Sequence, residues 1–321
     1  MKVYEGSILT SDAQDHVYKY LVEDGGRIVY VGDELPAKFA SGSRVKLGDR
    51  ALIPAFGDSH IHFASFATFH AGLNVSDARS NVEILEMIHS FVPTCDDKMV
   101  IAFGASPHSV AEKKFVTRQE LDEVCPDKPL FMVKYDGHTC VVNTKLLDIL
   151  KEKGVSVATN PMSNMKLASG IANVPEMLRR GINVAIGTDS VASNNSLNFF
   201  EEMKMFAIAP KIRFNDPTLI TPKQTLYAAT RAGALAQGRE DAGLVKEGFK
   251  ADLIMIDLEQ PNMYPVHDLM NNLVYSASGT DIVMTMSDGR IVYENGEYKT
   301  LDIEKTMFEA QAATKVILSK L

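Results

Sequence analysis

The chain has 321 residues, of which 45% are hydrophobic, and its formal net charge is −8. This length and apolar content suffice for one large domain, or for one large domain with a small partner. The acidic balance without a basic block argues against binding to nucleic acid or to an anionic membrane surface, and no uncharged apolar run reaches the roughly 18 residues of a transmembrane helix.

The cysteines and the N-terminus indicate the compartment. Cys95, Cys125 and Cys140 are odd in number and have no CxxC spacing, which predicts reduced thiols in a cytoplasmic protein. The first residues, MKVYEGSILTS, lack the apolar stretch of a signal peptide and instead predict a strand.

Short strands are predicted for the first 50 residues. The first covers Lys2 to Leu9, and residues 18–23 and 27–31 form a hairpin through Asp24-Gly25-Gly26. A fourth strand covers Arg44 to Leu47, and an apolar run begins at Leu52. The N-terminal part therefore predicts a β domain.

From residue 52 the predicted strands alternate with helices, which is typical of a parallel sheet. Strands are predicted at 99–103, 130–134, 155–158 and 182–186. Helices are predicted at 81–91, from Thr117, at 143–153, 174–180 and 197–209, and from Thr221. Strands return at 251–257, 282–287 and 290–294, where we expect them to pair with the N-terminal strands, and a last helix covers 303–320.

Two histidines follow the apolar run in residues 52–62, LIPAFGDSHIH. His60 and His62 are two positions apart, so in an extended segment both imidazoles point to the same side. Two neutral imidazoles at the end of a strand suit a divalent transition metal. The alternative is a pair of strand histidines with ordinary hydrogen-bond partners.

A carboxylate follows a later predicted strand in the same way. Asp189 ends the turn Gly187-Thr188-Asp189 after the strand at 182–186. Catalytic groups of a parallel α/β barrel lie at the carboxyl ends of its strands. A carboxylate there can bind a metal and take a proton from its water, whose pKa the metal lowers from 15.7 towards about 7. Together, His60, His62 and Asp189 predict a metal-dependent hydrolase.

These motifs resemble those of the amidohydrolase superfamily. GDSHIH is similar to its first-strand metal motif, GTD to its last-strand aspartate, and GLVKEGFKADLIMID to the return into its β-sandwich domain. Residues 1–150, with IPAFGDSHIHFASF and KYDGHTCVVNTKLL, resemble the long-chain branch that includes formamide deformylase-like proteins. Residues 155–300, with NPMSNMKLASGIANVPEML and GTDSVASNNSLNFFEEMK, resemble the methylthioadenosine/S-adenosylhomocysteine deaminases.

The resemblance implies a (β/α) TIM-like barrel with a small β-sandwich domain made from both chain ends. We expect the sandwich at 1–51 and 246–300, the barrel at 52–245 and a C-terminal helix at 301–321. It also implies a divalent metal held by His60, His62 and Asp189, with zinc as the default and iron, manganese and nickel still open.

The barrel is expected to be shortened. A complete eightfold barrel takes about 250 residues, so the interval from His62 to Asp189 has room for about four strand–helix units. In the family the middle strands carry two further histidines and, in the deaminases, a proton-shuttling glutamate. No histidine occurs between Lys145 and Asp189, and Thr159 stands where the deaminase branch usually has histidine. The two resembling pieces meet near residues 150–155.

Several residues could take the place of the missing groups. His138, in a turn after a strand, is the best candidate for a third ligand or a proton carrier, and His108 is a second candidate. Lys134 could in principle become a carbamylated metal bridge. Ser193, Asn194 and Asn195 follow Asp189 on the expected active-site loop, where they could bind polar substrate groups or cap the next helix.

The sequence therefore leaves different functions open. The first is a hydrolase acting on carbon–nitrogen bonds other than peptide bonds, which deaminates a cyclic amidine or purine-type substrate or hydrolyses an amide. The second is a catalytically impaired remnant or recombined product, whose open sheet edges invite pairing with another chain. The third is a barrel completed only when two chains form a homo-oligomer.

Overall fold

The computed structural model describes residues 1–57, 72–137 and 139–319. His60, His62 and His138 lie outside the described residues. The chain divides into two compact units. The end unit consists of Met1–Gly57, Asn198–Lys204 and Pro222–Leu321, and the central unit of Asp58–Leu197 and Met205–Thr221.

The elements of the described residues are numbered here in chain order. The strands are β1 (Lys2–Leu9), β2 (Val17–Asp24), β3 (Arg27–Gly32), β4 (Ser43–Pro54), β5 (Leu73–Asn74), β6 (Val100–Ala105), β7 (Leu130–Lys134), β8 (Cys140–Val142), β9 (Val157–Thr159), β10 (Val184–Ile186), β11 (Leu253–Asp257), β12 (Ile282–Ser287), β13 (Arg290–Glu294) and β14 (Glu297–Tyr298). The helices are α1 (Asn81–Phe91), α2 (Arg118–Val124), α3 (Thr144–Glu152), α4 (Pro161–Lys166), α5 (Val174–Arg179), α6 (Val191–Asn194), α7 (Phe199–Phe214), α8 (Pro222–Ala229), α9 (Arg231–Ala236), α10 (Leu269–Tyr275) and α11 (Ile303–Leu318).

The end unit contains one eight-stranded sheet made from both chain ends. Its strand order is β14-β13-β12-β11-β4-β1-β2-β3. Strand β4 joins the two halves, because it pairs in parallel with β1 and antiparallel with β11, where Leu52 lies opposite Met255. The predicted pairing between N-terminal and C-terminal strands is therefore confirmed.

Strand β4 is longer than the sequence predicts. The strand predicted over Arg44 to Leu47 and the apolar run from Leu52 are one continuous element. Between Lys46 and Ala51 the pairing with β1 shifts register, and Gly48 takes a left-handed φ of 59°. Such a bulge absorbs extra residues without ending the strand, so the polar residues between the two apolar stretches do not mark a boundary.

The central unit has parallel strands, as the alternating pattern predicts. Strands β5, β6 and β7 pair in parallel, and β9 pairs in parallel with β10. Strand β8 was not predicted and returns antiparallel to β7. Among the described residues the sheet β5-β6-β7-β8 and the pair β10-β9 are separate sheets, with no backbone ladder between them.

Helices α1 and α2 pack against β6 and β7 through a common apolar core. Ile84 and Ile88, one turn apart on α1, are buried with Leu121 of α2 and Leu130 of β7. Helix α2 starts with the predicted capping box, in which Thr117 and Glu120 exchange side-chain and backbone hydrogen bonds. These bonds satisfy amide groups that a helix start leaves without an intrahelical partner.

An ion network connects helices on both sides of residues 150–155. Glu176 of α5 accepts hydrogen bonds from Arg180 at 2.8 Å and from Arg179 at 2.9 Å, and lies 3.9 Å from Arg118 of α2. Arg180 also pairs with Asp148 of α3 at 2.7 Å. The hydrogen bond from Arg180 is the largest influence that lowers the pKa of Glu176 below its ordinary value.

Replacing Glu176 by Gln is expected to destabilise the protein in a pH-dependent way. A carboxylate whose pKa is lowered by folding stabilises the native state above its unfolded pKa of about 4.3, and this contribution is lost as the pH falls through the folded value. We expect Glu176→Gln to lower the free energy of unfolding by about 1 kcal/mol at pH 7. Urea unfolding at several pH values measures this difference, which should shrink as the pH falls below about 4.

The matched control is Glu152→Gln, because Glu152 pairs with Lys153 on the exposed surface. Such surface pairs contribute little, so its unfolding midpoint should stay unchanged. An equal loss for Glu176→Gln at pH 7 and pH 3 would mean that packing, and not charge, makes Glu176 stabilising.

Candidate active site

The strands β9 and β10 bring two chain segments to one edge of the central unit. Ile186 of β10 lies opposite Thr159 of β9, and the amide of Gly187 donates to the Thr159 carbonyl at 2.9 Å. Because the two strands are parallel, the segments that leave their carboxyl ends are neighbours. One segment leads to Asp189, and the other begins α4.

Each oxygen of the Asp189 carboxylate accepts a hydrogen bond. The hydroxyl of Ser163 donates to Oδ2 at 2.6 Å, and the amide of Ser190 donates to Oδ1 at 2.7 Å. The Asp189 side chain is buried, with 9% of the residue exposed. Hydrogen bonds to the charged form of a carboxylate favour that form, so these donors stabilise an ionised Asp189 and fix its orientation.

The backbone of Asp189 is strained. Its φ is 63°, in the left-handed region, which Asp and Asn enter more readily than other non-glycine residues. Such conformations cost on the order of 1–3 kcal/mol and persist only where the surroundings hold them. Strain of this kind clusters at functional sites, and here it coincides with the predicted site residue.

The sequence places Ser163 in a turn, Met162-Ser163-Asn164-Met165, near the expected site without giving this serine a role of its own. Helix α4 starts immediately after β9, with Pro161 at its first position, and Ser163 is completely buried. The available signal was Asn160-Pro161, which marks a helix start at the carboxyl end of a strand. Recognising Ser163 would also have required the pairing of β9 with β10.

Helix α4 has a second, different face. Pro161, Asn164 and Met165 line a mainly apolar cleft, together with Ile171 and Phe206. Residues spaced by three and four positions share one side of a helix, whereas Ser163 faces Asp189. Helix α4 therefore lies between the cleft and the aspartate.

The three polar residues predicted after Asp189 lie in and after α6. Asn194 is buried and donates to the Thr188 carbonyl at 2.6 Å, and the Ser193 hydroxyl donates to the Ser190 carbonyl at 3.0 Å. Asn195 takes a left-handed φ of 67° and accepts from the Lys166 ammonium group. The three residues thus shape the loop that carries Asp189, and their role towards a substrate stays a prediction.

The two other described candidates, His108 and Lys134, differ in their exposure to solvent. His108 is exposed, and its amide donates to the Ser106 hydroxyl at 3.1 Å. Lys134, at the end of β7, is only 2% exposed and pairs with Asp136 at 2.7 Å. The Lys134 ammonium group is therefore engaged in a buried ion pair.

The segment that precedes the histidine motif is well packed in the end unit. Phe56 stacks on Phe199 with ring centroids 5.0 Å apart, and the Gly57 amide donates to the Ala229 carbonyl at 3.0 Å. A Cβ atom on Gly233 would clash with the Gly57 carbonyl oxygen, so a side chain at position 233 would push this segment away.

The described residues alone do not assemble a metal site. Within residues 1–57, 72–137 and 139–319, no three His, Cys, Asp or Glu side chains form a group that could hold a metal ion. Of the predicted ligands, the structure describes Asp189 only. The described residues also include no helix that is long and apolar enough to cross a membrane.

Similar proteins of known sequence are deaminases. The chain is 45% identical over 184 residues to the 5-methylthioadenosine/S-adenosylhomocysteine deaminase of Dictyoglomus thermophilum. This alignment covers 57% of this chain and 43% of that protein. It is also 45% identical over 175 residues to the 5'-deoxyadenosine deaminase of Methanosarcina mazei, with 54% of this chain and 40% of that protein covered. The chain thus spans less than half the length of these curated relatives.

Solved structures show the fold. An adenosine deaminase from Xanthomonas campestris with bound zinc superposes with a TM-score of 0.69 at 20% identity, covering 99% of this chain and 98% of that one. The atrazine chlorohydrolase TrzN of Arthrobacter aurescens TC1 complexed with zinc gives a TM-score of 0.68 at 15% identity, covering 97% and 99%. The sequence profile of the Amidohydrolase family matches residues 95–292, well over half of the chain. With the TIM-like barrel fold of these neighbours, this match establishes that the chain belongs to the amidohydrolase family.

Proposed function

We propose that this chain is a metal-dependent hydrolase that cleaves a carbon–nitrogen bond other than a peptide bond, by deaminating an adenosine-type substrate. The observation that carries the proposal is the buried Asp189 carboxylate, held by Ser163 and Ser190 at the carboxyl end of β10. This is the position at which barrel enzymes hold their catalytic groups. The deaminase names of the relatives support the reaction type.

The proposed metal is divalent, and zinc is the first choice. Zinc accompanies the similar adenosine deaminase and chlorohydrolase, and a set of two imidazoles and one carboxylate is typical of zinc ligands. His60, His62 and Asp189 would hold it, and the Asp189 carboxylate, whose orientation is fixed by Ser163 and Ser190, fits this role. When bound, the metal makes a coordinated water acidic enough to act as a nucleophile near neutral pH.

The chain's own groups would then handle the proton and the substrate. Asp189 accepts the proton that the nucleophile loses, because its orientation is fixed before the substrate arrives. His138 is proposed as a helper that carries the proton to the leaving group. Ser193, Asn194 and Asn195 are proposed to contact polar substrate groups from the loop that follows Asp189.

The substrate class follows from the relatives. The relatives described above are named for 5-methylthioadenosine, S-adenosylhomocysteine and 5'-deoxyadenosine. We therefore propose a purine-type amidine as the substrate. An amide substrate is the alternative within the same chemistry, because a metal-activated nucleophile also attacks an amide carbonyl.

A second candidate rests on the sheets of the central unit. The four-stranded sheet and the pair β10-β9 are separate among the described residues. A barrel that is not closed has open edges, which favour pairing with another chain. We therefore keep two alternatives: a catalytically impaired amidohydrolase, and a shortened barrel that is completed by dimerisation.

The finer architecture is also part of the proposal. We propose that the barrel is shortened and that the eight-stranded sheet of the end unit corresponds to a small β-sandwich domain. The domain limits of 1–51 with 246–300, 52–245 and 301–321 stay predictions. The free thiols of Cys95, Cys125 and Cys140 support a reducing, cytoplasmic location.

Metal content is the measurement that tests the proposal. We expect about one zinc per chain in the purified protein, measured by elemental analysis, and loss of this zinc in the double variant His60→Ala/His62→Ala. Ammonia release from 5-methylthioadenosine, S-adenosylhomocysteine and 5'-deoxyadenosine then reports the reaction. The control is Ser156→Ala at the amino end of β9, which should keep both zinc and activity.

Three outcomes separate the alternatives. Bound zinc together with a reaction rate proportional to protein concentration supports an enzyme that is complete in one chain. A reaction rate that rises more steeply than protein concentration supports a barrel completed by a second chain. Analytical ultracentrifugation should then show a dimer. No zinc above background, even after refolding with zinc or manganese, contradicts the proposed enzyme and leaves the impaired remnant.

A further inference from the structure

Ser163 is a buried polar residue in direct contact with the proposed metal ligand Asp189. Its hydroxyl donates to Asp189 Oδ2 at 2.6 Å, which is within the range of a short, charge-assisted hydrogen bond. None of its surface is exposed. A buried hydroxyl aimed at a buried carboxylate is strongly constrained, because breaking the contact would leave both groups without this bond in a dry environment.

The backbone of Asp189 has an unfavourable conformation that contacts from its surroundings stabilise. The left-handed φ of 63° is an unfavourable conformation for a residue with a side chain. The amide of Ser190 holds Oδ1 at 2.7 Å, but this donor belongs to the next residue and moves with the same loop. Ser163 belongs to a different element, α4, so its hydrogen bond ties the loop to the rest of the central unit.

We propose that Ser163 is a positioning residue that orients the Asp189 carboxylate for the metal. This inference rests on the proposed function, because it assumes that Asp189 is a ligand. Groups that hydrogen-bond to a metal ligand fix its orientation, and their loss typically weakens metal binding about 10–100-fold. Helix α4 thereby has two separate tasks: it holds Asp189 through Ser163, and it lines the apolar cleft through Pro161 and Met165.

The test measures the zinc affinity of the whole protein by competition with a chelator. We expect Ser163→Ala to weaken zinc binding about 10–100-fold. Ser163→Cys fills the site with a slightly larger side chain of the same shape but has only a weak S–H donor. It should therefore weaken zinc binding almost as much as Ser163→Ala, whereas a purely packing role would make Ser163→Cys similar to the wild type.

Two controls separate positioning from general damage. Met165→Ala loosens the other face of α4 and should lower the unfolding midpoint while leaving the zinc affinity unchanged. Ser156→Ala removes the hydroxyl that accepts from Asn183 at 2.8 Å at the opposite end of β9, and should also leave the zinc affinity unchanged. An unfolding curve of each metal-free variant shows whether it still folds.

The outcomes distinguish this inference from the proposed function. If the wild type binds zinc and Ser163→Ala binds it equally tightly, Ser163 does not position Asp189. If Met165→Ala weakens zinc as much as Ser163→Ala, the effect belongs to the stability of α4 and the inference is wrong. If the wild type binds no zinc, the proposed function itself fails, and the inference fails with it.

Discussion

Turnover of an adenosine-type substrate is expected to fall about a thousandfold when Asp189 is replaced by Asn, because an amide cannot accept the proton. An amide is also a weaker ligand for a divalent metal than a carboxylate, so bound zinc should decrease as well. The measurements are kcat/KM for ammonia release and the zinc content of the purified variant.

Asn is the substitution that isolates the chemistry from the fold. It matches Asp in size and tolerates the left-handed conformation that residue 189 adopts. Its amide oxygen can accept from the Ser190 amide, and its NH2 group can donate to the Ser163 hydroxyl oxygen, because a hydroxyl can also accept. The thermal midpoint should therefore change little, so a loss of activity would not be a loss of structure.

The control is Asp127→Asn, which makes the same chemical change at an exposed position and should leave zinc and kcat/KM unchanged. Full activity of Asp189→Asn would remove Asp189 from the mechanism. If the wild type is itself inactive, the zinc content still shows whether Asp189 is a metal ligand. Zinc that is present in the wild type and lost in the variant would identify Asp189 as a ligand in an impaired enzyme.

The second large effect is on the stability of the protein and comes from the ion pair of Lys134 and Asp136 at the end of β7. Asp136→Asn is expected to lower the free energy of unfolding by about 3 kcal/mol, because it leaves the charge of a buried Lys134 without its carboxylate. The lysine is 2% exposed and the aspartate 22% exposed, at a distance of 2.7 Å. Such a loss is a large part of the 5–15 kcal/mol that holds an average domain together.

Removing the lysine should cost less stability than removing the aspartate. Lys134→Met removes the buried charge and keeps an unbranched side chain of similar length. The remaining Asp136 keeps contact with water. We therefore expect a loss of less than about 1 kcal/mol for Lys134→Met. The double variant Lys134→Met/Asp136→Asn should recover most of the stability that Asp136→Asn loses.

Urea unfolding measures these differences in free energy, provided that the dependence of the unfolding free energy on urea concentration has the same slope in each variant. The matched control is Glu309→Gln on α11, because Glu309 and Lys305 form an exposed pair 3.8 Å apart. Exposed pairs contribute little, so its midpoint should not move. Equal losses for Lys134→Met and Asp136→Asn would contradict the asymmetry and indicate that both side chains act mainly through packing.

Local features of the fold could be predicted because the information lies within a few residues. Asp24-Gly25-Gly26 predicts the hairpin of β2 and β3, and the structure has left-handed φ values of 58° and 81° at the two glycines. The helix over 81–91 and the capping box of Thr117 and Glu120 are confirmed in the same way. In each case, turn chemistry, capping or apolar spacing acts over one or two turns of chain.

Features that depend on distant residues were predicted less well. The polar residues inside β4 look like a boundary, but pairing with β1 and β11 extends the strand through them. Strand β8 has three residues and exists because β7 offers an edge to pair with. Short strands have little intrinsic preference, so their neighbours decide whether they form.

The candidate site also has local features, which the sequence predicts, and features that depend on distant residues. The sequence by itself determined that Asp189 follows an apolar strand, and the spacing of His60 and His62 predicted a metal there. Only the tertiary structure decided that the Asp189 carboxylate is buried, that Ser163 from α4 donates to it at 2.6 Å, and that Lys134 pairs with Asp136. The physical reason is that a residue's chemical type is local, whereas its burial and hydrogen-bond partners arise from segments that meet only when strands such as β9 and β10 pair.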